Sequence, residues 1–155
     1  MKFLQLSSID RIVPGEEIEA SLHLRGDEEY LEDHFPRFPV MPGVLMLEAL
    51  FQSAMILVRE TLHYEPGLVL LESAKNVKFG DFLSPGETLA LHVKLTKQEP
   101  PLFSCIGKAV KEGKSAVSAR LVLRCEDAGQ PESVLRMANL QVRQIVQQLR
   151  NAGME

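Results

Sequence analysis

Residues 42–62 read PGVLMLEALFQSAMILVRETL and are apolar over most of their length. Proline suits the first position of a helix, because its fixed φ is helical and the N–H that it lacks would have no partner there. A helix that is apolar nearly all round must be buried by the rest of the fold. The stretch therefore predicts a long central helix that other elements surround.

Strand patterns occur on both sides of this helix in the sequence. Residues 17–24 (EIEASLHL) alternate apolar and polar side chains, which is typical of a half-buried strand. Glu112 and Gly113 are hairpin-turn residues between two further strand patterns. The other predicted strands are residues 68–79, 88–96, 102–111 and 115–125.

An antiparallel sheet of five or six such strands has one apolar face, and one long helix is its natural cover. The predicted fold class is therefore α+β, with a sheet wrapped around a central helix. Residues 129–155 continue differently, with apolar side chains at alternating spacings of three and four that predict a second, amphipathic helix. We expect a main domain over residues 1–128 and a helical extension over 129–155. The stripe comprises Leu135, Ala138, Val142, Ile145 and Leu149.

One central helix already covers the sheet, so the stripe has no obvious place in that core. We expect the C-terminal helix to pack on the outer face of the sheet or against a neighbouring subunit. A helix reserved for a separate partner is the alternative.

The composition limits the classes of function. With 155 residues, 45% of them hydrophobic, the chain is long enough for one folded domain. A net charge of −4 lacks the basic footprint that nucleic-acid binding requires. No stretch reaches the roughly 18 apolar residues of a membrane span. The two cysteines, Cys105 and Cys125, have no metal-site spacing and suit a reducing compartment, so we expect a cytoplasmic protein without a metal.

The segment just before the helix has the features of a site. His34 precedes three prolines, Pro36, Pro39 and Pro42, which leave the connecting loop little conformational freedom. At the helix N-terminus the N–H groups near Gly43 and Val44 lack helical partners, and the helix dipole favours negative charge there. These donors predict an oxyanion-binding site.

Glu48 is the one acidic residue in the first part of the helix, about 9 Å along the axis from Pro42. A carboxylate buried among apolar neighbours needs hydrogen-bond partners or stays protonated, and a protonated carboxyl is what a general acid requires. Gln52, four residues on, shares its face and is a candidate to orient it. A solvent-facing Glu48 is the structural alternative.

The stretch HFPRFPVMPGVLMLEALFQSA resembles the signature of the FabZ type of 3-hydroxyacyl-[acyl-carrier-protein] dehydratases in the hotdog-fold superfamily. The resemblance covers about residues 1–126. It implies that a sheet wraps a central helix and that a glutamate at position 48 distinguishes the FabZ type from isomerising relatives. The matching positions are His34, Phe35, Pro36, Pro39, Pro42, Gly43, Val44, Leu45, Glu48, Ala49 and Gln52.

The resemblance also implies a mechanism. His34 would take the proton from C2 of a (3R)-3-hydroxyacyl thioester, Glu48 would protonate the departing hydroxyl on C3, and the Gly43 N–H would polarise the thioester carbonyl. The two catalytic residues of one site would come from different subunits of a dimer, and such dimers assemble into hexamers in many members. The acyl carrier protein would bring its own phosphopantetheine arm, so no cofactor is implied.

The sequence departs from the FabZ pattern at several positions. Asp33 and Arg37 stand where glycines are usual, and Asp33 is a candidate partner for His34. Residues 80–82 (GDF) replace the basic and proline residues that follow the aligned Phe79, which weakens the expected docking surface for an acidic carrier.

Three other functions remain open from the sequence. A thioesterase on the same fold would place its acidic residue elsewhere, and a MaoC-like hydratase would carry a GDxNPxH-like run that this chain lacks. A non-catalytic acyl-binding or scaffold subunit would not need His34, Gly43 and Glu48 together. Turnover of a 3-hydroxyacyl thioester separates these possibilities.

Overall fold

A computed structural model describes residues 4–33, 37 and 39–154, with the side chain of Asp33 outside this set. It contains one six-stranded antiparallel sheet with the order β1-β2-β4-β5-β6-β3. The predicted α+β class is confirmed. The strands are β1 Ser8–Val13, β2 Glu17–His23, β3 Leu68–Phe79, β4 Thr88–Glu99, β5 Leu102–Lys111 and β6 Lys114–Glu126, and the helices are α1 Tyr30–Asp33, α2 Gly43–Thr61 and α3 Glu132–Gly153.

The strand predicted at residues 17–24 is β2, and its apolar side chains point to the face that α2 covers. Ile18, Ala20 and Leu22 are buried, whereas Glu19 and His23 between them are exposed. The hairpin between β5 and β6 turns at Glu112 and Gly113, with φ of 49° and 82°. Two positive φ values in a two-residue turn match the twist of the flanking strands.

Strand β1 was not predicted from the sequence. Its pairing with β2 shifts register between Ile9 and Arg11. A bulge of this kind inserts an extra residue and interrupts the alternation on which strand prediction depends. Ile9 is nevertheless buried, so β1 adds to the same apolar face.

Helix α2 packs across strands β2 to β6. Gly107 of β5 allows a close approach, since a Cβ there would lie 3.3 Å from the Leu50 side chain. Residues 52–59 of α2 are all buried, which confirms the central helix. None of the helices within the described part of the chain is long and apolar enough to span a membrane.

Helix α3 packs on β1 and on the end of α2 of its own chain, so its expected position on the outer face of the sheet is wrong. A contact with a neighbouring subunit stays a prediction. Val142, Val146 and Leu149 join the same core cluster as Ile9. The reason is that α2 packs mainly on β2 to β6, which leaves the β1 edge of the apolar face for α3 to cover. Because they share this core, residues 1–128 and 129–155 pack together.

The buried stripe of α3 also differs from the predicted one by one residue at two positions. Asn139 and Val146 are buried where Ala138 and Ile145 were expected, and the latter two are half-buried. Asn139 is buried because it accepts a hydrogen bond from the guanidinium of Arg59 and donates one to the Tyr64 carbonyl at 3.0 Å. A polar residue with buried partners cannot be identified from hydrophobic periodicity.

Candidate active site

The N-terminus of α2 presents unpaired main-chain donors. Pro42 precedes the helix and makes no side-chain cap, while its carbonyl accepts the Leu45 N–H at 2.9 Å. Within the described residues, the N–H groups of Gly43 and Val44 have no hydrogen-bond partner. They are therefore available to an oxygen of a ligand, as the sequence predicted for an oxyanion site.

The Phe79 ring lies close to Gly43 and leaves little room for a side chain there. A Cβ at this position would lie 3.0 Å from two ring atoms of Phe79, which is too short for ordinary packing. The ring of Phe79 is itself 55% exposed and Val44 is 66% exposed. Two exposed apolar side chains thus border the unpaired donors at the start of the helix.

Glu48 is exposed, so of the two positions that the sequence left open, the solvent-facing one is found in this chain. It lies one turn beyond Val44 on the same side of α2. The N-terminal half of the helix therefore has an open face, whereas the C-terminal half is enclosed by the sheet.

Gln52 links Glu48 to the N-terminal segment of the chain. The amide is 3% exposed, and its Nε2 donates to Glu48 Oε1 at 3.2 Å. The Gln5 main-chain N–H donates to Gln52 Oε1 at 2.8 Å. Because a main-chain N–H can only donate, this contact fixes which end of the amide faces Glu48. Oε1 of the carboxylate is held as an acceptor, and Oε2 is left for a proton or a ligand.

Gln5 was missing from the residues predicted from the sequence. It contributes a main-chain group, which every residue except proline also has, so no side-chain pattern identifies it. The exposed Phe79 ring against Gly43 was also missed as a site residue, because its strand pattern alone does not show that the ring reaches the helix start.

The segment that contains His34 is anchored on both sides. Leu31 of α1 is buried before it, and Val40 and Met41 are buried after it. The Met41 N–H donates to the Leu83 carbonyl at 2.8 Å. His34 itself lies outside the described residues, as do Phe35, Pro36 and the side chain of Asp33, so the structure does not test its predicted role.

A cleft of about 800 Å³ lies beside Gln5. Leu4, Leu6 and Leu22 contribute apolar side chains, and Arg25 and Glu28 contribute charged ones. Tyr30 also lines it, and burial raises the pKa of its hydroxyl to about 12. Among the described residues, the hydrogen bonds from Gln5 to Gln52 and from Gln52 to Glu48 link this cleft to the carboxylate.

One group in the described part of the chain has side chains spaced to hold a metal ion, and it lies away from this site. Glu17, Glu19 and His92 lie on the outer side of strands β2 and β4. Glu17 already pairs with Arg11 at 2.6 Å. Exposed carboxylates of this kind usually serve as solvated surface groups.

The comparison with protein families identifies the family of the chain. A family profile described as "ApeI-like: ApeI dehydratase" matches residues 10–120, which include Gly43, Glu48 and Gln52. The chain belongs to the ApeI-like dehydratase family. Membership places the helix start, Glu48 and the residues before Pro42 inside a region that is shared with known dehydratases.

Several dehydratases with a similar sequence are named 3-hydroxyacyl-[acyl-carrier-protein] dehydratase FabZ. The protein from Lactobacillus helveticus is 36% identical over 124 residues, which cover 80% of this chain and 84% of the relative. The protein from Nitratidesulfovibrio vulgaris is 37% identical over 119 residues, covering 76% of this chain and 77% of the relative. The resemblance to FabZ-type dehydratases is thus confirmed.

Solved structures confirm the hotdog fold of this dehydratase. The dehydratase heterocomplex ApeI:P from Xenorhabdus doucetiae superimposes with a TM-score of 0.67 at 16% identity, covering 81% of this chain and 85% of that one. The uncharacterized protein PH1136 from Pyrococcus horikoshii gives a TM-score of 0.59 at 17% identity, with 78% and 83% covered.

Proposed function

We propose that the chain converts (3R)-3-hydroxyacyl-[acyl-carrier-protein] to trans-2-enoyl-[acyl-carrier-protein] and water, as a step of fatty acid synthesis. The observation that supports this most is the arrangement around Glu48, since one carboxylate oxygen is held by Gln52 and the other is free to carry a proton. The FabZ-named relatives, similar over most of the chain, give the substrate class.

In this proposal His34 removes a proton from C2 of the acyl thioester. The C3–O bond breaks, Glu48 Oε2 gives its proton to the departing hydroxyl, and a double bond forms between C2 and C3. The Gly43 N–H stabilises the negative charge that develops on the thioester oxygen. Transfer of the proton from His34 back to Glu48 through solvent resets the site, so the net loss is one water.

The proposed chemistry needs neither a metal nor a redox cofactor. The carrier's phosphopantetheine arm holds the thioester, and elimination of water involves no change of oxidation state overall. Free cysteines at 105 and 125 are compatible with a reducing compartment, which supports a cytoplasmic location.

We further infer that a second chain completes the site. Glu48, Val44 and Phe79 form an open face in the single chain, and a carboxyl group that must hold a proton is better placed in a water-poor environment. A homodimer, alone or as a trimer of dimers, would cover this face with a second copy. The ApeI:P structure is described as a heterocomplex, so a homologous but different subunit is the second candidate.

The purified chain should therefore be tested with a 3-hydroxybutyryl thioester of the acyl carrier protein. Dehydration gives the ultraviolet absorbance of a conjugated enoyl thioester, whereas a thioesterase releases a free thiol. Thiol release without enoyl product would contradict the proposed reaction. If only a mixture with a second dehydratase-like subunit is active, the homodimer is wrong and the heterocomplex is supported.

Shared sites can be tested by mixing two inactive variants, His34→Ala and Glu48→Gln. If each site takes one residue from each chain, subunit exchange creates some sites with both native residues and activity partly returns. Verified exchange without any recovery would show that each site lies within one chain.

A further inference from the structure

A second cleft, which we call the α2–α3 cleft, lies at the opposite end of α2 from Glu48. Its volume is about 480 Å³, which lies within the range of small-molecule sites. The residues that line it are Glu60, His63, Tyr64, Arg143, Val146, Gln147, Arg150, Asn151 and Met154.

Glu60 is the one acidic residue among the described residues that line the cleft, and its charge is already compensated. Arg150 Nη2 donates to Glu60 Oε1 at 3.0 Å, and the Tyr64 hydroxyl donates to the same oxygen at 3.3 Å. This arrangement joins the end of α2 to α3. The second arginine of the cleft has no acidic partner among the described residues that line it.

That second arginine is Arg143. Its guanidinium carbon lies 5.4 Å above the centre of the Tyr64 ring, a cation–π contact that holds the side chain over the cleft. Among the described residues Arg143 makes no ion pair and no hydrogen bond. A guanidinium held in place with unused donors can bind two oxygens of a phosphate or carboxylate at once.

The backbone at the end of α2 has an uncommon conformation that contributes to this cleft. His63 and Tyr64 have φ of 52° and 58°, in the left-handed region that non-glycine residues seldom occupy. Residues held in this region are strained, and such strain often occurs at ligand sites. Here the Tyr64 ring lies under Arg143, and His63 lines the same cleft.

The α2–α3 cleft is separate from the candidate active site. Glu60 lies twelve residues beyond Glu48 on one helix, or about 18 Å along its axis. Helix α3, which supplies most of the lining, lies outside residues 10–120 that match the dehydratase profile. A ligand here would therefore not be the acyl thioester that the active site receives.

We propose that the α2–α3 cleft binds a small organic phosphate. The phosphate would accept hydrogen bonds from the guanidinium of Arg143 and from neighbouring donors of His63 and Gln147. The apolar body would pack against Val146 and Met154. A phosphate is favoured over a carboxylate because its additional oxygens match the larger set of donors. This inference does not depend on the proposed dehydratase reaction.

Three probes with the same ring test the proposal by ligand-observed NMR titration at constant ionic strength. Phenyl phosphate carries the proposed anion, benzoate carries a carboxylate, and benzyl alcohol carries no charge. We expect saturable binding of phenyl phosphate, weaker binding of benzoate and none of benzyl alcohol. Equal binding of all three, stronger binding of benzoate, or no saturation by phenyl phosphate would overturn the proposal.

Two variants test whether phenyl phosphate binds in the α2–α3 cleft. Arg143→Gln should weaken phenyl phosphate binding about tenfold or more, since it removes a charged double hydrogen bond. Arg136→Gln is the matched control, because Arg136 lies on α3 outside the cleft and pairs with Glu132. Equal affinities of the Arg143→Gln variant and the native protein would overturn the proposal. Thermal midpoints of all variants verify that the fold is retained.

Discussion

The hydrogen bonds of Gln52 make this residue a positioning group for Glu48. Gln52→Met keeps the approximate shape of the side chain but removes both hydrogen bonds. We expect kcat to fall roughly 10- to 100-fold with KM little changed, because a misplaced acid affects the transition state more than substrate binding. Gln98→Met, at an exposed position of β4, is the control. A native kcat in Gln52→Met would show that Glu48 needs no such support.

Gly43 is the second residue whose role follows from contacts. Gly43→Ala places a methyl group against the Phe79 ring, and overpacking of this kind costs about 1–3 kcal/mol of stability. Since Phe79 is half exposed, Gly43→Ala combined with Phe79→Ala should regain most of the thermal midpoint and also activity, as the N–H of residue 43 is still present. Loss of activity that persists in the stable double variant would mean that the Phe79 ring, or the absence of a side chain at 43, serves the reaction directly.

At the residue scale, the sequence predicted where the candidate site residues of the central helix lie. Gly43, Val44, Glu48 and Gln52 lie together at the first turns of α2 as expected. The sequence left open whether Glu48 is buried or faces solvent. Its exposure depends on how far the helix extends past the sheet, and helical periodicity does not contain that fact.

At the scale of elements, the contact between α2 and α3 depends on a buried polar cluster. The Arg59 guanidinium donates to Asn139 Oδ1 and to the Gly67 carbonyl, the latter at 3.2 Å, while its Nε has no partner among the described residues. Burial lowers the pKa of Arg59. Removing one partner of a buried cation lowers the free energy of unfolding more than replacing the cation and its partner together.

This cluster gives a prediction for a double-mutant cycle. Asn139→Leu should lower the free energy of unfolding by about 1–3 kcal/mol, because the guanidinium loses an acceptor. Arg59→Met combined with Asn139→Leu should be less destabilised than the sum of the single variants. Denaturant unfolding measures all three, with Gln141→Leu on the exposed side of α3 as the control. Strictly additive losses would show that the two side chains do not act as a unit.

The elements themselves were largely predictable. Residues 68–79 form β3 as predicted, and β2 ends one residue earlier than expected. Strand β1 was missed because its bulge breaks the alternation. The predicted position of α3 on the outer face was wrong because α2 does not cover the whole sheet by itself, and only the strand order shows that β1 lies at the edge that α3 covers.

At the scale of the whole molecule, a buried thiol in the core makes the stability depend on pH. Cys105 is buried, and desolvation raises the pKa of its thiol to about 12. An unfolded thiol ionises near pH 8.5. Between about pH 8.5 and about 12 the unfolded chain loses this proton while the folded chain keeps it. The contribution of Cys105 to the free energy of unfolding is therefore complete below about pH 8.5 and is lost as the pH rises through this range. One such group contributes a slope of up to about 1.4 kcal/mol per pH unit.

Cys105→Ala removes the titrating group and should flatten this decline. The measurement is the free energy of unfolding from denaturant titrations at pH 8, 9 and 10 for the native protein and the variant. We expect the two curves to converge as the pH rises, since the native protein loses more stability. Parallel curves across this range would contradict a contribution from Cys105.

The central claim is that Glu48 is the acid of a dehydration, and steady-state turnover of 3-hydroxybutyryl-[acyl-carrier-protein] tests it most directly. The native protein should form the enoyl thioester, Glu48→Gln should be slower by about 10²- to 10⁴-fold because a general acid contributes that much, and the exposed control Glu99→Gln should match the native protein. Enoyl formation by Glu48→Gln at the native rate, or its absence in the native protein in every assembly tested, would contradict the account.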